Sequence, residues 1–214
     1  PRVRDRALGP ENKWYETIKG MVDKLQGQIG ETETPAPQDL GRQAAWAAFV
    51  YRMTGDELYL RLARKALETS LRFYEQCYAE RKAVDWYSTS RVHATLAWDW
   101  LYNNLSEEER RSYMERLVTV LQNVFTAKPP INRENISGYT TGFYGVPNCK
   151  WFVGCTALGT GIEEELVNQW LVWGHDENLK MLAHRKRACG DDGGSASPTL
   201  GYAFGEYPWA EQNF

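Results

Sequence analysis

The sequence predicts an all-α protein built from successive antiparallel helical hairpins, and three observations carry that expectation. Apolar residues recur at spacings of three and four through most of residues 39–127. Short turns with glycine or capping residues separate these stripes, as in helical hairpins. No stretch sustains the period-two alternation of a half-buried strand. Hairpins of this kind assemble side by side into bundles, superhelical arrays or α/α toroids. Unequal loops and the lack of a fixed repeat length argue against a regular solenoid.

Residues 1–38 read as an irregular N-terminal segment with one short helix around Trp14 to Leu25 and a Gly/Thr/Glu/Pro-rich loop after it. Asp39 can cap a helix over 39–53, with Ala44, Ala48 and Tyr51 on one face. Thr54-Gly55-Asp56 breaks it, and a second helix over 57–76 carries Leu58, Leu62, Ala66, Ser70 and Phe73 on one stripe. The third, over 90–104, presents Val92, Leu96 and Trp100. Ser106 with Glu109 is a capping box, opening a helix over 107–127 that Pro129-Pro130 stops.

The character then changes. Ile131 to Pro147 is a 17-residue aperiodic loop of Asn, Ser, Gly, Thr, Tyr and Phe, and loops of that length in a folded domain are usually functional. A helix is expected over 148–159, where Gly154, Ala157 and Gly159 would permit close packing. Two further helical stretches are expected at Ile162–Trp173 and Asp176–Ala188. Cys189 to Trp209 follows, with five glycines, the adjacent acids Asp191 and Asp192, then Tyr202, Glu206, Tyr207 and Trp209. A bendable backbone carrying acids and rings suits a loop lining a cleft for a polar, ring-shaped ligand. The two loops are expected to face one cleft, lined by Tyr139, Tyr144, Trp151, Tyr202 and Trp209.

Composition excludes several function classes. With 25 basic and 28 acidic residues the net charge is −3, so no global positive field recruits nucleic acid or an anionic membrane. No apolar run is long enough to span a bilayer, so no membrane insertion is expected. The four cysteines form no Cys-x-x-Cys pair and read as buried free thiols. Neither they nor the three histidines have metal-ligand spacing, so no metal and no cofactor is expected. His93 reads as a core or cleft residue, His175 as a neighbour of a helix start, and His184 as part of a basic helix end.

Three segments together resemble a known family. They are Phe49 to Leu60 with its Thr-Gly-Asp turn, then Ala97-Trp98-Asp99-Trp100-Leu101-Tyr102 followed by Leu105 to Arg110, then Asn148 and Trp151 with the later Asp192-Gly193-Gly194 and Tyr202. The ordered set, over roughly residues 40 to 210, is similar to the N-terminal helical domain of the heparinase II/III and alginate lyase group of polysaccharide lyases. The resemblance implies an incomplete α/α toroid over 39–214, built from antiparallel helical hairpins and followed by a β domain. It also implies a secreted or periplasmic setting and an acidic polysaccharide or oligosaccharide as partner. Members cleave uronic-acid polymers by β-elimination with an Asn that neutralises the substrate carboxylate and a Tyr that transfers the proton. Asn148 and Tyr202 match those positions, 54 apart. Where the family often has His after the Asn this chain has Cys149, and Ser197 stands where an acid is common.

The residue types suit the chemistry. Removing a proton alpha to a carboxylate builds charge on an anionic group, which a neutral amide donor can stabilise. A Tyr titrating near ~10 works as a base only beside a cation, for which Lys150, Arg185 and Arg187 are candidates. The expected site is therefore Asn148 and Tyr202 as catalytic residues, with Tyr139, Tyr144, Lys150, Trp151, Arg185, Arg187, Glu206 and Trp209 for substrate. Two alternatives stand beside it. One is a glycoside hydrolase on a similar toroid, with two carboxylates from Asp99, Asp191, Asp192 and Glu206 as acid and base. The other is a non-catalytic carbohydrate-binding domain with the aromatics as stacking platforms.

Overall fold

Local capping chemistry sets the best-defined helix starts. Asp56 accepts a hydrogen bond from the Leu58 N–H at 2.8 Å and opens one long helix. Just before it, Gly55 takes a left-handed φ of 75°, which a side chain would resist. Ser106 and Glu109 form the expected reciprocal box: the Ser106 N–H donates to Glu109 Oε2 at 2.8 Å, and the Glu109 N–H to Ser106 Oγ at 3.1 Å.

The computed structural model describes residues 2–10, 12–26, 40–82, 84, 89–122 and 146–189. All regular structure among these residues is helical. The helices are α1 (Arg2–Ala7), α2 (Lys13–Leu25), α3 (Leu40–Thr54), α4 (Glu57–Ala79), α5 (Thr89–Leu101), α6 (Glu107–Gln122), α7 (Val146–Ala157) and α8 (Glu164–Cys189). A 3-10 turn, Tyr102–Asn104, ends α5. The N-terminal stretch expected to be irregular holds α1 as well as the anticipated α2. Asp39, Pro129-Pro130 and residues 131–145 and 190–209 of the two long loops lie outside the described residues. The chain divides into two units, Pro1–Glu80 with Ser90–Leu117, and Arg81–Thr89 with Val118–Phe214.

In the first unit most of α3 is enclosed. Leu40, Ala44, Ala45, Ala47, Ala48 and Val50 are all buried, because small side chains let neighbours approach from several sides. Gly41 shows how close that approach is. Its N–H donates to Ser90 Oγ at 3.1 Å, and Ser90 Oγ is 2.6 Å from the Tyr74 hydroxyl, with all three residues buried. Further along, Phe49 meets Trp100 with ring centroids 5.9 Å apart, and Asn104 Nδ2 donates to the Tyr51 hydroxyl at 2.7 Å. Contacts between α3 and α5 thus ascend together, so the two helices run parallel.

The same holds for α4 and α6. Arg64 pairs with Glu109 near their starts. Arg116 then bridges Glu68 at 2.7 Å and both oxygens of Glu75, at 2.6 and 2.9 Å. Trp98, fully buried, donates from Nε1 to the Arg110 carbonyl at 3.0 Å and joins α5 to α6. The α5/α6 hairpin therefore repeats the placement of α3/α4 beside it, with α3 and α5 in one layer and α4 and α6 in the other. At the edge, Asp23 of α2 accepts from the Tyr59 hydroxyl at 2.7 Å and from Lys19 at 2.8 Å.

The Arg116 bridge yields an acid-stability expectation. Burial pushes the Glu68 carboxyl up, but hydrogen bonds from Arg116 and Arg72 outweigh it and hold the group below its ordinary range. Glu109 is likewise held low, burial being outweighed by the Ser106 backbone and Arg64. Carboxyls depressed in the folded state add stability above their unfolded pKa, near ~4.3, and lose it as pH falls through the folded value. Arg116→Met is expected to lower stability by about 1–2 kcal/mol at pH 7 and by much less at pH 3, measured by urea unfolding at both pH values.

In the second unit, α7 starts at Val146, two residues before the expected boundary. Pro147 fits inside the first turn because no backbone N–H is needed there. α7 packs against α8 through Gly154, where an added Cβ would lie 2.9 Å from Leu171 Cγ. Gly159 does not share that role: it sits in the turn after α7 with a φ of 76° and open space around it. The two expected stretches around residue 175 form one continuous helix, α8. Gly174, in the gap between them, is buried inside α8, and burial of the surrounding face offsets the ~1 kcal/mol that a helical glycine costs.

Candidate functional site

Polar groups in unusual surroundings gather where α7 begins. Asn148 lies in the first turn of α7, where backbone N–H groups lack intrahelical acceptors and the positive end of the helix dipole falls. The next residues turn inward: Cys149 is buried, and Lys150 is only 8% exposed. The Lys150 ammonium lies 5.1 Å from the centroid of Trp170 and 5.4 Å from that of Trp173, both on α8. Two indole faces thus hold a cation in a largely dry position. Trp151, half-buried, meets His175 with ring centroids 6.1 Å apart.

The pairs Gly154–Leu171 and Trp151–His175 fix an antiparallel register between α7 and α8. That register sets Asn178 level with the first turn of α7. Asn178 is 0% exposed; its Nδ2 donates to the Gly174 carbonyl at 2.8 Å, and its Oδ1 has no hydrogen-bond partner. A buried acceptor left unpaired costs ~1–3 kcal/mol, so such groups call for an explanation. Sequence reasoning missed Asn178. The available signal was a lone amide on the otherwise apolar stripe of Val167, Trp170, Leu171 and Gly174.

The structure brings together only part of the expected site. Asn148, Lys150 and Trp151 share α7, and Lys150 and Trp151 contact α8. Arg185 and Arg187 lie near the far end of α8, with the Arg187 side chain exposed. At 1.5 Å per residue they stand roughly 10–14 Å along the helix from Asn178, which is level with the first turn of α7. Of the three candidate cations, Lys150 is the one on the same helix as Asn148, two residues further on. Tyr139, Tyr144, Asp191, Asp192, Tyr202, Glu206 and Trp209 lie outside the described residues, as does the expected meeting of the two loops.

Other candidates fall in varied settings. Asp99 lies on the exposed side of α5, yet desolvation raises its carboxyl above the usual range, with Arg52 pulling the other way. His175, expected at a helix start, lies inside α8 with Nδ1 3.3 Å from Asp176 Oδ1. His93 is half-buried in α5. Cys77 and Cys149 are buried as expected, whereas Cys155 is exposed, its thiol raised by desolvation. Among the described residues no group of three or more His, Cys, Asp or Glu could hold a metal ion. Nor is any described helix long and apolar enough to cross a membrane.

Comparison of the whole chain with family models, curated proteins and solved structures finds no match in any of the three.

Proposed function

We propose that this chain is the helical domain of a polysaccharide lyase, an incomplete α/α toroid that binds a uronic-acid polymer and supports its cleavage by β-elimination. The single observation that carries the reading is the juxtaposition at the start of α7. There the first-turn Asn148, the enclosed Lys150 cation and the unpartnered buried acceptor of Asn178 stand within one or two helical turns. A sugar acid offers a carboxylate and hydroxyl donors, the two groups such a site would recognise. The side-by-side repetition of the α3/α4 and α5/α6 hairpins and the 54-residue interval from Asn148 to Tyr202 also favour it. By its resemblance the protein is secreted or periplasmic.

In this reading the Asn148 amide donates a hydrogen bond to the substrate carboxylate as charge builds during proton loss. Lys150 adds a positive charge whose attraction gains from its low-dielectric surroundings. Tyr202 takes the proton and returns one to the departing glycosidic oxygen. A hydrolase reading draws on the raised carboxyl of Asp99 as a general acid.

The test is the absorbance of the conjugated double bond formed at each new non-reducing end of a uronic-acid polymer. Asn148→Ala is expected to lower kcat at least ~10-fold while changing KM less, because the lost donor acts mainly as charge develops. Products with saturated ends would replace elimination by hydrolysis. Unchanged kcat in Asn148→Ala would remove this residue from the chemistry.

A further inference from the structure

The face of α8 turned away from α7 has no partner among the described helices. Glu165, Gln169, Val172, Asp176, Leu179, Ala183 and Lys186 all fall within about 60° of one helical direction, and all are exposed. Val172 is 66% exposed and Leu179 46%, unusual for large apolar side chains inside a 26-residue helix. Beside Val172 an open groove of about 620 Å³ is lined by Glu165, Asn168, Gln169, Val172, Trp173 and Asp176.

Charge along this face is strongly ordered. Glu165 lies on it in the first turn and Lys186 in the last. That order complements the helix's own dipole, but it has a second property. A two-fold axis passing between His175 and Asp176 sets Glu165 opposite Lys186 of an antiparallel copy. The same axis sets Val172 opposite Leu179, so Leu179 of the copy falls at the groove. One symmetry operation thus satisfies both the apolar residues and the charges, as an isologous interface requires.

We propose that α8 is a self-association surface, pairing with α8 of a second copy of this chain in antiparallel register about the His175/Asp176 point. Two ion pairs, Glu165 of each copy with Lys186 of the other, flank a small apolar centre. A single helix face offers less than the ~800 Å² per partner of a standard interface, so association is weak, with a dissociation constant on the order of 10–100 μM. Its charged ends make it several-fold weaker at 0.5 M salt than at 0.05 M.

Sedimentation equilibrium across this concentration range tests the pairing. Glu165→Lys and Lys186→Glu each turn two attractions into two repulsions and are expected to weaken self-association about tenfold or more. Mixing these two single variants is expected to restore association as a heterodimer, because every 165–186 pair is again of opposite sign. Both positions are exposed, so circular dichroism of each variant is expected to match the parent. A parent that stays monomeric up to several hundred micromolar overturns the proposal, as does a mixture no more associated than its components. Concentration-independent protection of a Leu179→Cys thiol from alkylation would also overturn it, since the chain's own residues would then cover the face.

Discussion

Gly41→Ala is expected to destabilise the first unit by about 3–4 kcal/mol, far more than a Gly-to-Ala change in a helix ordinarily does. Helix propensity alone predicts the opposite sign, a gain of ~0.5–1 kcal/mol. The difference lies in what the new methyl group meets. A Cβ at Gly41 would fall 1.8 Å from the Ser90 carbonyl oxygen and 2.6 Å from the Tyr74 hydroxyl. The first is backbone and cannot swing aside, so α3 and α5 must separate at this end. Separation also stretches the buried hydrogen bonds that link Gly41, Ser90 and Tyr74. Gly20, in α2, is the internal control, since nothing lies within 4 Å of its added Cβ. Thermal unfolding of the two variants is expected to diverge, Gly20→Ala rising slightly and Gly41→Ala falling by roughly 6–16 °C. Equal melting temperatures would show that the close α3–α5 approach does not exist in solution.

The second large effect belongs to the proposed chemistry. Tyr202→Phe keeps the ring and removes only the hydroxyl, so substrate binding is expected to survive while elimination falls by ~10²–10⁴-fold. A phenol titrating near ~10 is a poor base at neutral pH unless a cation lowers it, and Lys150 is the candidate on the same helix as Asn148. Lys150→Met, which keeps volume and loses charge, is then expected to move the rising limb of the kcat pH profile toward alkaline values. A purely structural Lys150 would change the melting temperature and leave that limb in place. Near-normal elimination by Tyr202→Phe would instead direct attention to Asp191, Asp192 and Glu206.

What could be read from the chain alone was what short-range physics decides. The Asp56 and Ser106/Glu109 caps are hydrogen bonds across two or three residues, so their signals are written locally. The stripe from Leu62 through Ala66 to Ser70 follows from 3.6-residue periodicity and is buried as its spacing implies. Local signals also misled. The gap expected between Trp173 and Asp176 is closed within α8, because propensity does not record that burial against α7 holds the helix through Gly174. Tertiary structure alone paired Gly41 with Ser90, set Arg116 between Glu68 and Glu75, and laid Lys150 against Trp170 and Trp173. It alone left Asn178 Oδ1 unpaired inside, and Val172 and Leu179 uncovered outside. Each of these depends on which helix lies opposite and in what register. Helical period states which side of a helix is apolar, but only packing between distant segments determines what that side meets.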